Sequence, residues 1–210
     1  MKRKSIIHKT IIGTILFYML LVFFSASFAV DNKVDWVKLK KESQNILQKD
    51  SNDIMANFHY IISLSNTGMI EEAYNHIDYI KENISLENLN KLLEPYITGL
   101  ENDSDNILYL NYAAFGATLN SEYKSSIPYF KRLVELEPEN IWIRNFLAAT
   151  YLEIKEYGFA ENEAKAALEI KNNNYSHLIL ALIHYEKGKY IDALIELGRS
   201  GELAKKILFD

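Results

Sequence analysis

A short motif returns along this chain at a nearly constant interval, and that interval limits the fold more tightly than any other property of the sequence. Gly68-Met69-Ile70-Glu71-Glu72-Ala73, Lys155-Glu156-Tyr157-Gly158-Phe159-Ala160 and Gly188-Lys189-Tyr190-Ile191-Asp192-Ala193 align on one another, and Ser121-Glu122-Tyr123-Lys124-Ser125-Ser126 shares their shape. Each places a large apolar residue three positions before a small one, with Gly, Ser or, once, Lys two positions ahead of the large residue. Ser126 and Ala160 lie 34 residues apart, and Ala160 and Ala193 lie 33 apart. A period of this length marks a chain of supersecondary units that bury their apolar faces by stacking on their neighbours. With only 8 Gly and 3 Pro, the units read as helices joined by tight connections and not as a many-stranded sheet.

The phase of the motif can be checked elsewhere in each unit. With the small residue numbered 20, position 8 falls on Ala114, Ala148 and Ala181, and Ile61 is the exception. Position 7 is Tyr60, Ala113, Leu147 and Leu180, position 24 is Ile77, Phe130, Ala164 and Leu197, and Pro138 stands at position 32. Small residues at 8 and 20 let paired helices approach closely. This pattern resembles the tetratricopeptide repeat, most clearly over residues 107 to 200. The resemblance implies an all-α fold, a solenoid of helical hairpins wound into a right-handed superhelix, and a protein that binds protein or peptide and is not an enzyme.

Residues 54–87, 107–140 and 141–173 are expected as repeats 1 to 3, and 174–210 as repeat 4 with a C-terminal cap. Residues 30–53 form a capping half repeat, with Trp36 at position 17 and Ile46 at position 27. Ala73 and Ser126 lie 53 residues apart, 19 more than one repeat. Leu86, Leu89, Leu92, Leu93, Ile97 and Leu100 keep helical spacing through this excess, with Pro95 inside, so residues 88–106 are expected as an inserted helix and loop. One extra helix reverses the chain direction and is expected to break the superhelix into two blocks.

Lys2, Arg3, Lys4 and Lys9 precede an apolar stretch from Ile11 to Phe24, and Ser27 and Ala29 put small side chains where a signal peptidase requires them. Residues 1–29 therefore read as a signal peptide, cut before Val30. The alternative is an uncleaved anchor over residues 11–30, about the length that spans a bilayer. Either reading exports the remainder, to a bacterial periplasm, to the cell exterior or to the outer face of the inner membrane. The remainder holds 19 basic against 28 acidic residues, a net charge of −9, which argues against nucleic acid and against anionic membranes as partners. The chain has no cysteine, so disulfides, thiolate metal sites and cysteine nucleophiles are excluded.

No catalytic or cofactor motif is present. His177 and His184 share a helix face without acidic or cysteine ligands at metal spacing, and pairs such as Glu71-Glu72 read as solvated helix surface. There is no phosphate loop and no nucleophile elbow. No metal and no cofactor is expected.

In the resembled family, positions 2, 5, 9 and 12 of the first helices line a concave groove. Carried over, the groove is built from Phe58, Leu108, Asn111, Phe115, Trp142, Asn145, Tyr175 and Tyr185, together with Met55, Ile62, Ser65, Thr118, Ala149, Leu152, Leu178 and Leu182. It lacks the Lys and Arg with which some members grip a C-terminal carboxylate, and its apolar lining suits an amphipathic helix or apolar peptide. Two alternatives stay open. These aromatics pack on one another or on the inserted helix and leave no groove, or the protein is a structural subunit of an envelope assembly that self-associates through its terminal faces. The sequence leaves the oligomeric state open.

Overall fold

The computed structural model describes residues 33–204, which hold ten α-helices and no strand. They are α1 (Trp36–Leu47), α2 (Ile54–Thr67), α3 (Ile70–Asn83), α4 (Leu86–Gly99), α5 (Ile107–Leu119), α6 (Tyr123–Leu136), α7 (Ile141–Glu153), α8 (Tyr157–Ile170), α9 (Asn174–Glu186) and α10 (Tyr190–Arg199). The expected signal or anchor within residues 1–30, and residues 205–210 of the expected C-terminal cap, lie outside the described residues. Among the described residues no helix is long and apolar enough to cross a membrane.

Within the four hairpins two kinds of helix start alternate, each with a local cause, while α1 and the inserted α4 are side-chain capped by Asp35 and Ser85. The helices that open a hairpin are capped by a side chain: Asp53 accepts from Ala56 N at 2.7 Å, Asn106 from Tyr109 N at 3.1 Å, Asn140 from Trp142 N at 3.2 Å and Asn173 from Ser176 N at 2.9 Å. Each bond satisfies an amide that the first helical turn leaves without a partner. The second helices have no side-chain cap. They follow a turn so short that one residue must enter the left-handed region: Gly68, Ser121, Lys155 and Gly188 have φ of 80°, 59°, 62° and 72°. These are the residues two places ahead of the large apolar residue, so the recurring Gly or Ser of the motif is a backbone requirement.

The small residues of the motif are buried where paired helices cross. Ala114, Ala148 and Ala181 on first helices, and Ala73, Ser126, Ala160 and Ala193 on second helices, are all interior. In α6 to α10 each helix packs on the next, and α7 also meets α9, which is the regular stack of hairpins.

The insertion changes this order. The second helix of the first hairpin, α3, lies against α2, while α5 receives the inserted helix α4 on the side where the preceding hairpin would stand in a regular stack. Leu89 and Leu93 of α4 are fully buried, and Gly116 of α5 is approached so closely by Leu93 that a Cβ there would stand 2.9 Å from its Cδ1. With α4 in that place, the first hairpin is displaced from the line of the stack, and α2 lies against α4, α5 and α7 together.

Candidate partner-binding groove

The first helices α2, α5, α7 and α9 carry the expected groove residues, and their surroundings change steadily along the chain. In α2, Phe58, Ile62 and Ser65 are completely buried. In α5, Asn111 and Phe115 are buried and Leu108 is half-buried. In α7, Asn145 is buried while Trp142, Ala149 and Leu152 are half-buried, and in α9 Tyr175 and Leu178 are half-buried, Leu182 is 44% exposed and Tyr185 is 61% exposed. Phe58, Asn111 and Phe115 are thus interior residues and do not line an open groove in this structure, whereas Asn145, also buried, borders a cavity between α7 and α9.

The physical reason lies in the first hairpin. Phe58 sets its ring 5.8 Å from that of Tyr112 on α5, and His59 stacks on Tyr112 at 5.6 Å with its Nε2 2.6 Å from the tyrosine hydroxyl. Burial pulls the His59 imidazole below its ordinary range, against the raising influence of Asp53 and Glu42, and burial pushes the Tyr112 phenol up. Further along, Asn66 donates to Asn111 Oδ1 at 2.8 Å and accepts from Asn140 Nδ2 at 3.2 Å, which joins α2, α5 and the cap of α7. The α2–α3 turn then reaches Trp142: a Cβ on Gly68 would stand 2.3 Å from Trp142 Cζ2. The chain's own first hairpin occupies the N-terminal part of the groove, with the inserted helix as its neighbour.

The two asparagines expected as polar points for a ligand are spent internally. Asn111 donates to Ile107 O at 2.8 Å and accepts from Asn66. Asn145 donates to Asn173 Oδ1 at 3.2 Å and accepts from Ser176 Oγ at 2.7 Å, which pins α7 to the start of α9. Phe115 meets Phe130 and Phe146 edge-on at 5.3 Å and 4.9 Å. Trp142 meets Tyr175 edge-on at 6.0 Å.

What stays open is the C-terminal part. A small apolar cavity of about 150 Å³ lies between α7 and α9, lined by Ile70, Asn145, Phe146, Ala149, Tyr175, Leu178 and Ile179. Ile70 closes it from the first hairpin, a contribution that a repeat pattern cannot show because it comes from a non-adjacent unit. Leu182 and Tyr185 continue the apolar surface beyond it, and Tyr185 meets Tyr190 edge-on at 5.7 Å.

The titratable clusters are structural. Glu161 accepts from Lys165 Nζ at 2.6 Å and Lys187 Nζ at 2.9 Å, which holds its carboxyl down to about 2 and ties α8 to the α9–α10 turn. Arg144 and Glu163 pair at 3.0 Å between α7 and α8. His177 places Nδ1 2.6 Å from Glu196 Oε2 and Nε2 2.8 Å from Asn172 Oδ1, which fastens α9 to α10. Among the described residues no group of three or more His, Cys, Asp or Glu stands together to hold a metal ion.

No family model matches the chain, and no curated protein matches it. Solved structures do. MamA residues 41-end from Desulfovibrio magneticus RS-1 aligns with a TM-score of 0.50 at 16% identity, covering 82% of this chain and 97% of that one. A structure described as MamA MSR-1 C2 aligns at 0.48 and 16% identity, over 81% and 88% of the two chains. The protein TTC0263 of Thermus thermophilus, described as a thermophilic TPR protein, aligns at 0.42 and 17% identity, over 80% and 83%. With the hairpin order, the buried small residues and the recurring left-handed turns described above, the chain has an all-α, tetratricopeptide-type helical-repeat fold.

Proposed function

We propose that the protein is a non-enzymatic protein-interaction module that binds an apolar peptide or helix of a partner on the C-terminal part of its concave face. The observation that carries this reading is the gradient of exposure along the first helices. Equivalent positions pass from fully buried at Ile62 and Ser65 to open at Leu182 and Tyr185, so one part of the groove is filled by the chain itself and the other is left apolar and accessible. Leu178, Leu182 and Tyr185 lie near one face of α9 beside the apolar cavity, the spacing that receives the apolar stripe of a helix. Tyr175 forms part of the wall of this site, and Trp142, in edge contact with Tyr175, stands behind it. The setting we propose is the bacterial cell envelope, on the strength of residues 1–29 as an export signal or residues 11–30 as an anchor.

A photo-reactive amino acid at Leu182 of the full chain in its native host tests the reading, with the same probe at the exposed Glu169 on the outer face of α8 as control. The expected outcome is a discrete adduct with another protein from Leu182 alone, lost when Leu178→Asp is added. Equal adducts from both positions, or none from Leu182, would reject the groove. The alternative of a structural subunit without a ligand yields adducts at Leu182 only with another copy of this chain.

A further inference from the structure

The cavity between α7 and α9 lies where the repeat is short of one side chain. Position 9 of the first helices holds Ile62, Phe115 and Leu182, all large, but in α7 it is Ala149. One unit earlier the Phe115 ring reaches from α5 to Phe146, at position 6 of the following first helix, meets it edge-on at 4.9 Å and is buried there. The same two positions one unit later are Ala149 and Ile179, and both line the cavity. A methyl group stands in place of a phenyl ring, and a space of about 150 Å³ remains beside it.

The size and the walls of that space narrow what can enter. Its volume of about 150 Å³ matches that of an apolar cavity which takes up benzene. Ile70, Phe146, Ala149, Leu178 and Ile179 present apolar walls. The one amide among the lining residues, Asn145, is already engaged with Asn173 and Ser176. An apolar ring gains burial here, whereas a charged side chain would lose its water without gaining a counterion.

We infer that the cavity is an anchor pocket for one phenylalanine side chain of the partner, which supplies between chains the ring that Phe115 supplies within the chain one unit earlier. The inference rests on the groove reading above and adds the chemistry of the residue that enters. Ile70 makes one wall of the pocket from the displaced first hairpin, so the pocket is not a property of the regular stack.

Benzene is the probe for the pocket itself. In the full chain with isotope-labelled isoleucine and leucine methyl groups, it should shift the signals of Ile70, Leu178 and Ile179 saturably and leave those of Ile80 and Leu133, buried elsewhere, unmoved. Ala149→Phe fills the space from within and should abolish those shifts with the melting temperature no lower. Ile70→Ala removes a wall and should weaken benzene about tenfold. For the partner, either substitution should reduce the Leu182 photo-adduct about tenfold or more, so Ile70→Ala decides if Ala149→Phe does not fold. Absence of saturable shifts in the unaltered chain, or an adduct undiminished by the substitutions, overturns the pocket and leaves the groove standing. No adduct from Leu182 in the unaltered chain rejects the groove, and the anchor with it.

Discussion

The two ends of the array put the same repeat positions to opposite uses. Around α2 and α5, first-helix positions meet across the displaced first hairpin, where Phe58, Ile62 and Asn111 become interior, and Phe115 is buried against Phe130 and Phe146 of the stack. Around α9 the equivalent positions meet no such hairpin: Leu178, at the position of Phe58 and Asn111, is half-buried, and Leu182, at that of Ile62 and Phe115, stands in solvent with Tyr185 beyond it. The cores differ to match. The N-terminal cluster is aromatic and aliphatic, with Phe58, Tyr112, Phe115 and Phe130, whereas the C-terminal one is built on Ala148, Ala160 and Ala164 with Leu180 and Ile183. The repeat specifies the hairpin, and what the hairpin rests on decides whether a groove position is core or surface.

The sharpest break of this comparison truncates one groove aromatic at each end. Phe115→Ala should destabilise the protein by ~3–5 kcal/mol, because the ring is buried between Phe130 and Phe146 and its loss leaves a cavity. Tyr185→Ala should change stability by no more than about 0.5 kcal/mol. Urea denaturation of both variants measures the difference, and equal losses would refute the assignment of Phe115 to the core and Tyr185 to the surface.

A second contrast uses two glycines at the same position of the turn. Gly68→Ala meets both a left-handed φ of 80° and the Trp142 ring, 2.3 Å from the new Cβ, and should cost about 2–4 kcal/mol. Gly188→Ala, at φ 72° with nothing within 4 Å, should cost only ~1 kcal/mol. If Trp142→Ala is placed beneath Gly68→Ala, the gap between the two glycines should narrow, since the steric part of the penalty acts through that ring.

The helices, their pairing into hairpins and the tight turns were legible because each is encoded within about one repeat: large residue, small residue three later, turn residue two before. The inserted helix was legible too, through Leu86, Leu89 and Leu93 at helical spacing. The filling of the groove was not. It depends on Asn66 meeting Asn111 and Asn140, and on Gly68 meeting Trp142, contacts between units that are not neighbours in the stack. A repeat pattern describes nearest neighbours only. The asparagines at positions 111 and 145 therefore looked like points for a ligand when they are internal ties. Ile70 carried a signal as the large residue of its motif, but nothing in that motif says it closes a cavity between α7 and α9.

Acid should loosen the two ends in sequence. His59 and His76, both in the first hairpin, are held below the ordinary value of 6.5 by burial. The unfolded chain then takes up protons that the folded chain refuses, so stability contributed at neutral pH falls as pH drops through 6.5. At the other end Glu161 is lowered by Lys165 and Lys187 to about 2, and its contribution is retained above 4.5 and lost only as pH falls toward 2. Hydrogen exchange, corrected for intrinsic rates, should show α2 and α3 losing protection between pH 7 and 5.5 while α8 and α9 keep theirs. His59→Gln with His76→Gln should flatten that response.

The smallest effect is a gain in stability. Lys155 occupies the left-handed position of the α7–α8 turn at φ 62°, where Gly68 and Gly188 serve the first and last hairpins. A non-glycine residue pays a steric penalty there of ~1–2 kcal/mol, and glycine would remove it at the cost of a more flexible unfolded chain, about 0.4–1 kcal/mol. Lys155 is exposed, so little side-chain packing is forfeited. Lys155→Gly should therefore raise stability by ~0.5–1 kcal/mol, about 1–4 °C in melting temperature for a chain of this size. Ser121→Gly, at φ 59° in the α5–α6 turn, should behave alike. A loss of stability at Lys155→Gly with a gain at Ser121→Gly would mean that the lysine side chain supports the α7–α8 hairpin by a contact of its own, and that the C-terminal repeats depend on more than their alanine-lined crossings.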